Sequence, residues 1–144
     1  MAEFPTPAQR QAVTARADSV CEYCRSPARY GVQSFECEHI IPLSQGGATT
    51  LDNVAYACGG CNRSKAARTS APDPEDGSRK SLFHPRSQDW DDHFAWDDDF
   101  TLIIGLTAVG RAMVAALHLN RPGVVNLRKV LISIGEHPPR SDHV

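Results

Sequence analysis

Apolar and polar positions fall into short blocks of unlike period along the chain. Thr6-Pro7 has the form of an N-cap followed by proline at the first helical position, and Ala8 to Ala17 is rich in helix formers, which predicts a short leading helix. From Cys21 to Tyr30 two cysteines, Pro27 and Gly31 suggest a knuckle and turn, after which Val32 to Ile40 alternates as a strand does. Pro42 and Gly46-Gly47 mark an irregular loop, because consecutive glycines reach backbone angles other residues avoid. Leu51 to Tyr56 follows as a loop or short strand, and Asn62 to Arg68 as the opening of a helix.

Between Ser70 and Ser81 the run APDPEDGSRK carries prolines, a glycine and many charges, which predicts an exposed linker. Beyond it, His93 to Trp96 and Phe100 to Leu106 flank Asp97-Asp98-Asp99 and read as a β-hairpin. Thr107 can cap a helix reaching about Leu119, and Asn120 can cap a second, with Pro122 early inside it and Gly135 just past its end. Val124, Leu127, Val130, Leu131 and Ile134 recur at helical spacing, so one face of that last helix is expected to be buried. The organisation expected is an N-terminal helix over 1–20, a core over 21–70, a linker over 71–88 and a hairpin with helices over 89–144.

With 144 residues and 41% hydrophobic content the chain suits one small α+β domain with an extension. The longest apolar run, Phe100 to Val109, is about half of the roughly 20 residues a bilayer requires. The start Met1-Ala-Glu-Phe-Pro lacks the basic and apolar blocks of a secretory signal, so the expected compartment is the cytoplasm, with no membrane partner. In a reducing compartment paired cysteines bind metal more often than they form disulfides. The net charge of −2 argues against nucleic acid, but six aspartates lie between Asp89 and Asp99, and without them the charge becomes +4.

Cys21 with Cys24 and Cys58 with Cys61 form two Cys-x-x-Cys pairs. Each places two thiolates in one tight turn, and together they complete the tetrahedral sulfur shell of a structural Zn²⁺. An unligated set or a redox dithiol is the blander account, and the doubled spacing disfavours it. Cys37 is the odd thiol, expected to pack without ligating.

The cysteine pairs bracket Glu38-His39-Ile-Ile-Pro42-Leu-Ser-Gln-Gly46-Gly47, then Leu51-Asp-Asn53, and the second pair runs on as Cys61-Asn62-Arg-Ser-Lys65. Thirteen residues separate His39 from Asn53 and eight separate Asn53 from Asn62. This order within this frame resembles the HNH family of metal-dependent nucleases, over roughly residues 21 to 68. The family's third lettered position is often His, and here it is Asn62.

The resemblance implies a zinc-stapled, treble-clef-like ββα-metal core, a hairpin carrying His39 packed on a helix carrying Asn62. It implies that His39 is the general base, that Glu38 and Asn62 hold one divalent cation, that Asn53 braces the loop positioning the histidine, and that DNA is cut to 5′-phosphate and 3′-hydroxyl ends. An imidazole with a reference pKa of about 6.5 can take a proton from water near neutral pH. Carboxylate and amide oxygens are hard ligands that favour Mg²⁺ or Mn²⁺.

Adjacent strand residues point to opposite faces, so Glu38 and His39 share one site only if the backbone departs from strand geometry. Alternatively the metal binds on the Glu38 side while His39 works across the phosphate. Asn62 also suits a helix N-cap. Arg63, Lys65 and Arg68 form either a solvated helix face or contacts to a DNA backbone. Trp90-x-x-His93-Phe-x-Trp96 resembles a segment downstream of the motif in some bacterial HNH proteins, which makes His93 a further candidate beside the blander account of a hairpin histidine packed on tryptophans. His84 shares that ambiguity, while His118, His137 and His143 receive no role. The apolar last helix suits a homodimer. The rival functional readings are a non-catalytic zinc module that binds nucleic acid, and a partner-docking protein for which the cysteines are only a staple.

Overall fold

The computed structural model describes residues 3–139, so His143 and the first two residues lie outside it. Helix α1 (Pro7–Arg16) starts at Thr6, whose hydroxyl accepts from the Gln9 amide while the Gln9 side chain accepts from the Thr6 amide. A cap of this kind is worth about 1 kcal/mol. The helix buries Val13 against Val54 and Tyr56.

The core is a hairpin and a helix. Strand β1 (Glu36–His39) pairs antiparallel with β2 (Val54–Ala57), Glu38 opposite Ala55 and His39 opposite Val54. The strand expected over Val32 to Ile40 is thus confined to its second half, since Val32 is fully exposed and has no core to face. Helix α2 (Gly59–Lys65) follows β2 directly. It begins three residues before the position expected, because the Cys58 Sγ accepts the Cys61 amide as the N-cap, and Asn62 lies within the helix instead of capping it.

Residues 70–81, expected as an exposed linker, form a second hairpin of β3 (Ser70–Pro72) and β4 (Arg79–Ser81). Its turn is anchored by buried Asp73, which accepts from Arg111 at 3.0 and 2.9 Å. Arg111 holds the Asp73 carboxyl below its usual range through these bonds. A bidentate carboxylate-guanidinium contact from 38 residues away orders a segment whose composition alone reads as loop.

One helical turn, α3 (Trp90–His93), leads into the hairpin of β5 (Phe94–Trp96) and β6 (Ile103–Gly105) around the aspartate-rich turn. Helix α4 (Ala108–Leu117) is capped by Thr107. Helix α5 (Pro122–Ser133) has Arg121 at its N-cap, because the Asn120 side chain is spent on both backbone groups of Ile103. Its buried face is Val124, Arg128 and Leu131, narrower than expected, with Val130 and Ile134 in solvent. Phe83, Trp90, Phe94, Ile103, Met113 and Leu117 join the two cysteine knuckles in one continuous core. The α+β architecture is therefore a zinc-stapled ββα core with an N-terminal helix, two further hairpins and two C-terminal helices. No helix among the described residues is long and apolar enough to cross a membrane.

Candidate functional site

Cys21, Cys24, Cys58 and Cys61 converge with all four sulfurs within 4.8 Å of one another, and all four residues are buried. The Cys24 and Cys58 sulfurs are 3.7 Å apart. A tetrahedron with zinc–sulfur bonds of about 2.3 Å has edges of about 3.8 Å, so the cluster fits a structural Zn²⁺ as it stands. Burial pushes the Cys21 thiol well up, whereas the hydrogen bond with Cys21 brings Cys24 down to about 7. A bound cation takes such a mixed set to four thiolates. Cys37 is half-buried beside Tyr56 and lies outside the cluster.

The first knuckle is sewn to the hairpin. The Glu22 amide donates to the Tyr56 carbonyl at 2.9 Å, and the Glu22 carboxylate accepts the Tyr56 amide at 2.8 Å and pairs with Arg86. Tyr23, buried between the cysteines, donates its hydroxyl to the Glu38 carboxylate. Burial and that neighbouring carboxylate push the Tyr23 phenol well above its ordinary value, so it stays a donor.

β1 is regular to its end, so Glu36 and Glu38 face α2 while His39 faces the other way. Glu38 is buried, with its second oxygen 3.1 Å from the Lys65 ammonium. Burial pushes its carboxyl above the usual range, against the pull of Lys65. Asn62, one turn before Lys65, donates its amide to Glu36. Its amide oxygen takes no hydrogen bond among the described residues, which leaves a hard oxygen donor beside the Glu36 carboxylate.

Lys65, expected on a DNA-contacting face, is 1% exposed and donates to the carbonyls of Ile40 at 2.9 Å and His39 at 3.2 Å. Its charge is taken up inside the protein and does not reach the surface. Arg63 and Arg68 are exposed, and Arg68 donates to the Ala116 carbonyl at 2.9 Å.

His39 is half-buried with its Nε2 2.9 Å from the Thr49 hydroxyl. That hydroxyl is also 3.4 Å from the Glu3 carbonyl, to which it can donate. This order has Thr49 accepting the imidazole Nε2–H and leaves Nδ1 as the free lone pair. Partial burial and the nearby Lys65 charge lower the His39 pKa, which disfavours the charged ring at neutral pH and leaves it a nitrogen lone pair.

Asn53 clips the loop after His39. It accepts the Ile41 amide at 2.9 Å and donates to the carbonyls of Ile41 at 3.0 Å and Ala48 at 2.8 Å. Gly47 must be glycine here, since a Cβ would lie 1.8 Å from the Ile41 carbonyl oxygen. His93 sits apart in the junction between hairpin and α4, with Nδ1 2.6 Å from the Thr107 hydroxyl and its ring against Phe83.

A half-buried histidine, a loop clip and a carboxylate–amide pair are thus held on a four-cysteine-stapled ββα frame, and the HNH endonuclease family model matches this same stretch, residues 21–68. Residues 21–68 are an HNH endonuclease domain. The domain is also similar to the type IV methyl-directed restriction enzyme EcoKMcrA of Escherichia coli (strain K12), 38% identical over 52 residues. That match covers 33% of this chain and 19% of the relative's length.

Sequence reasoning missed Thr49, Tyr23 and Glu36 as parts of this HNH site. Glu36 was reachable, since it lies two residues before Glu38 and shares its strand face. Thr49 and Tyr23 carry no local signal, because their roles depend on how the loop and knuckle fold back.

Proposed function

We propose that the chain is an endonuclease that hydrolyses DNA phosphodiester bonds, with His39 as the general base. The observation that carries the reading is the His39 imidazole, held with Nε2 2.9 Å from the Thr49 hydroxyl inside the stretch that matches the HNH endonuclease family. Nδ1 would take the proton of the attacking water, and the Thr49 hydroxyl would stabilise the imidazolium that results. Asn53 acts as a positioning residue through the Ile41 backbone. Glu38 and Asn62, with Glu36 on the same strand face, offer the oxygen donors that would hold one Mg²⁺ or Mn²⁺ on the α2 side while His39 works across the phosphate, and the cation's chemistry is to neutralise charge on the phosphate and the leaving oxygen. Arg63 and Arg68 offer positive charge to the DNA backbone. The relative's printed name, a methyl-directed restriction enzyme, supports DNA as the substrate, and the working compartment is the cytoplasm.

The capture of Glu38 by Lys65 and Tyr23 favours a second reading, a zinc module that binds nucleic acid without cutting it. Assays of the wild type and His39→Ala on linear, supercoiled, single-stranded and branched DNA, with Mg²⁺, Mn²⁺ or EDTA, decide between them. Cutting that needs the cation and is lost in His39→Ala supports the nuclease. Retained DNA binding with no cutting on any form would establish the second reading instead.

A further inference from the structure

Arg121 turns its guanidinium away from α5 onto the sulfur cluster. Nη2 lies 3.3 Å from the Cys58 sulfur and 3.7 Å from that of Cys61, and Nη1 lies 3.6 Å from Cys61. The group is steadied by the carbonyls of Leu117 at 3.3 Å and His118 at 3.2 Å. Room for it exists because residue 60 is glycine, where a Cβ would lie 2.6 Å from Nη2. From the same helix Arg128, 2% exposed, donates to the Cys24 carbonyl at 3.2 Å, so both knuckles are clasped by the extension beyond residue 68.

Four thiolates around one Zn²⁺ leave the centre with a net charge of −2, and excess negative charge makes sulfur basic and nucleophilic. A guanidinium donating to two of the sulfurs counters both tendencies and covers the side of the site formed by the second knuckle. We propose that Arg121 sets how firmly the four-cysteine site keeps its zinc, which makes the C-terminal extension a working part of the metal centre. This rests on the zinc reading of the cysteines and is independent of nuclease activity. Partners of metal ligands typically change affinity by 10–100-fold when removed.

The experiment uses the full chain, zinc-loaded and checked by elemental analysis, with transfer of zinc to the chromophoric chelator 4-(2-pyridylazo)resorcinol as the readout. Arg121→Gln should release zinc about 10–100-fold faster than wild type, and Arg121→Lys should fall between them. In the cobalt-substituted proteins the sulfur-to-metal charge-transfer band should move to lower energy in Arg121→Gln, because the sulfur lone pairs lose a donor. Arg128→Met, which removes a clasp without touching sulfur, should lower the melting temperature and leave that band in place. Wild-type release and an unmoved band in Arg121→Gln would overturn the inference, as would an equal band shift in Arg128→Met. Should Arg121→Gln not fold, Arg121→Lys carries the test, and wild-type values in it overturn the inference. Wild-type protein without zinc would instead mean that the zinc reading itself fails.

Discussion

The ammonium of Lys65 lies 3.1 Å from the carboxylate of Glu38, with both side chains inside the core. Two charges of opposite sign are held between the hairpin and the helix, and the same ammonium ties down the carbonyls that follow Glu38. Removing one partner of such a pair strands the other as a buried charge. Lys65→Met should therefore cost about 3–5 kcal/mol in urea denaturation. The double variant Lys65→Met with Glu38→Gln should recover part of that loss, and a single variant within about 0.5 kcal/mol of wild type would contradict the pairing.

The zinc site should behave as the folding staple of the hairpin and helix. Cys58 is both a metal ligand and the N-cap of α2, so Cys58→Ser should lose zinc and the folded circular dichroism signal together. His39→Ala should keep both. Unchanged melting after complete chelation of the metal would remove the staple from the account.

Thr49→Val keeps the shape of residue 49 and removes the hydroxyl that holds His39 Nε2. The expected result is a fall in cutting rate of about tenfold with substrate affinity and zinc content unchanged, against about 10²–10⁴-fold for His39→Ala. A Thr49→Ser variant that restores the rate would assign the effect to the hydroxyl, and a Thr49→Val enzyme of wild-type rate would refute it.

His137 provides a pH dependence of stability. It is buried, donates its Nε2–H to the Phe100 carbonyl at 2.8 Å, and stacks edge-on against Trp96. Burial, with a contribution from Arg128, lowers its pKa below the ordinary imidazole value. The unfolded chain then binds the proton more readily than the folded one. The contribution is fully present above pH of about 6.5 and is lost as the pH falls through the lower folded value. His137→Gln, which stays neutral and can still donate to Phe100, should show a smaller drop in melting temperature between pH 8 and pH 5. Equal drops in both proteins would rule His137 out.

The zinc frame was legible because ligand spacing is dictated by chemistry: two Cys-x-x-Cys turns meet at one ion wherever they lie in sequence. The loop clip at Asn53 and the helix at Thr107 follow from side-chain chemistry of equally short range. Lys65 was misread for a reason of register. With Cys58 as cap, a residue outside the usual capping set, α2 starts early and turns Lys65 inward toward Glu38. The stretch after Ser70 reads as linker because its stabilising partner, Arg111, is remote in sequence. Arg128 was passed over on α5 because a polar residue breaks the apolar stripe, while the structure buries it beneath Trp96 with four oxygen acceptors.

The contact from Arg128 to the Cys24 carbonyl spans 104 residues. On a ribosome adding roughly 5–20 residues per second, Cys24 emerges roughly 5–20 s before the arginine that secures it. For that interval the nascent knuckle stands without its clasp, and its thiols face whatever competing metals and oxidants surround it. The time of synthesis, as much as the final affinity, then governs which molecules of this protein acquire the right ion.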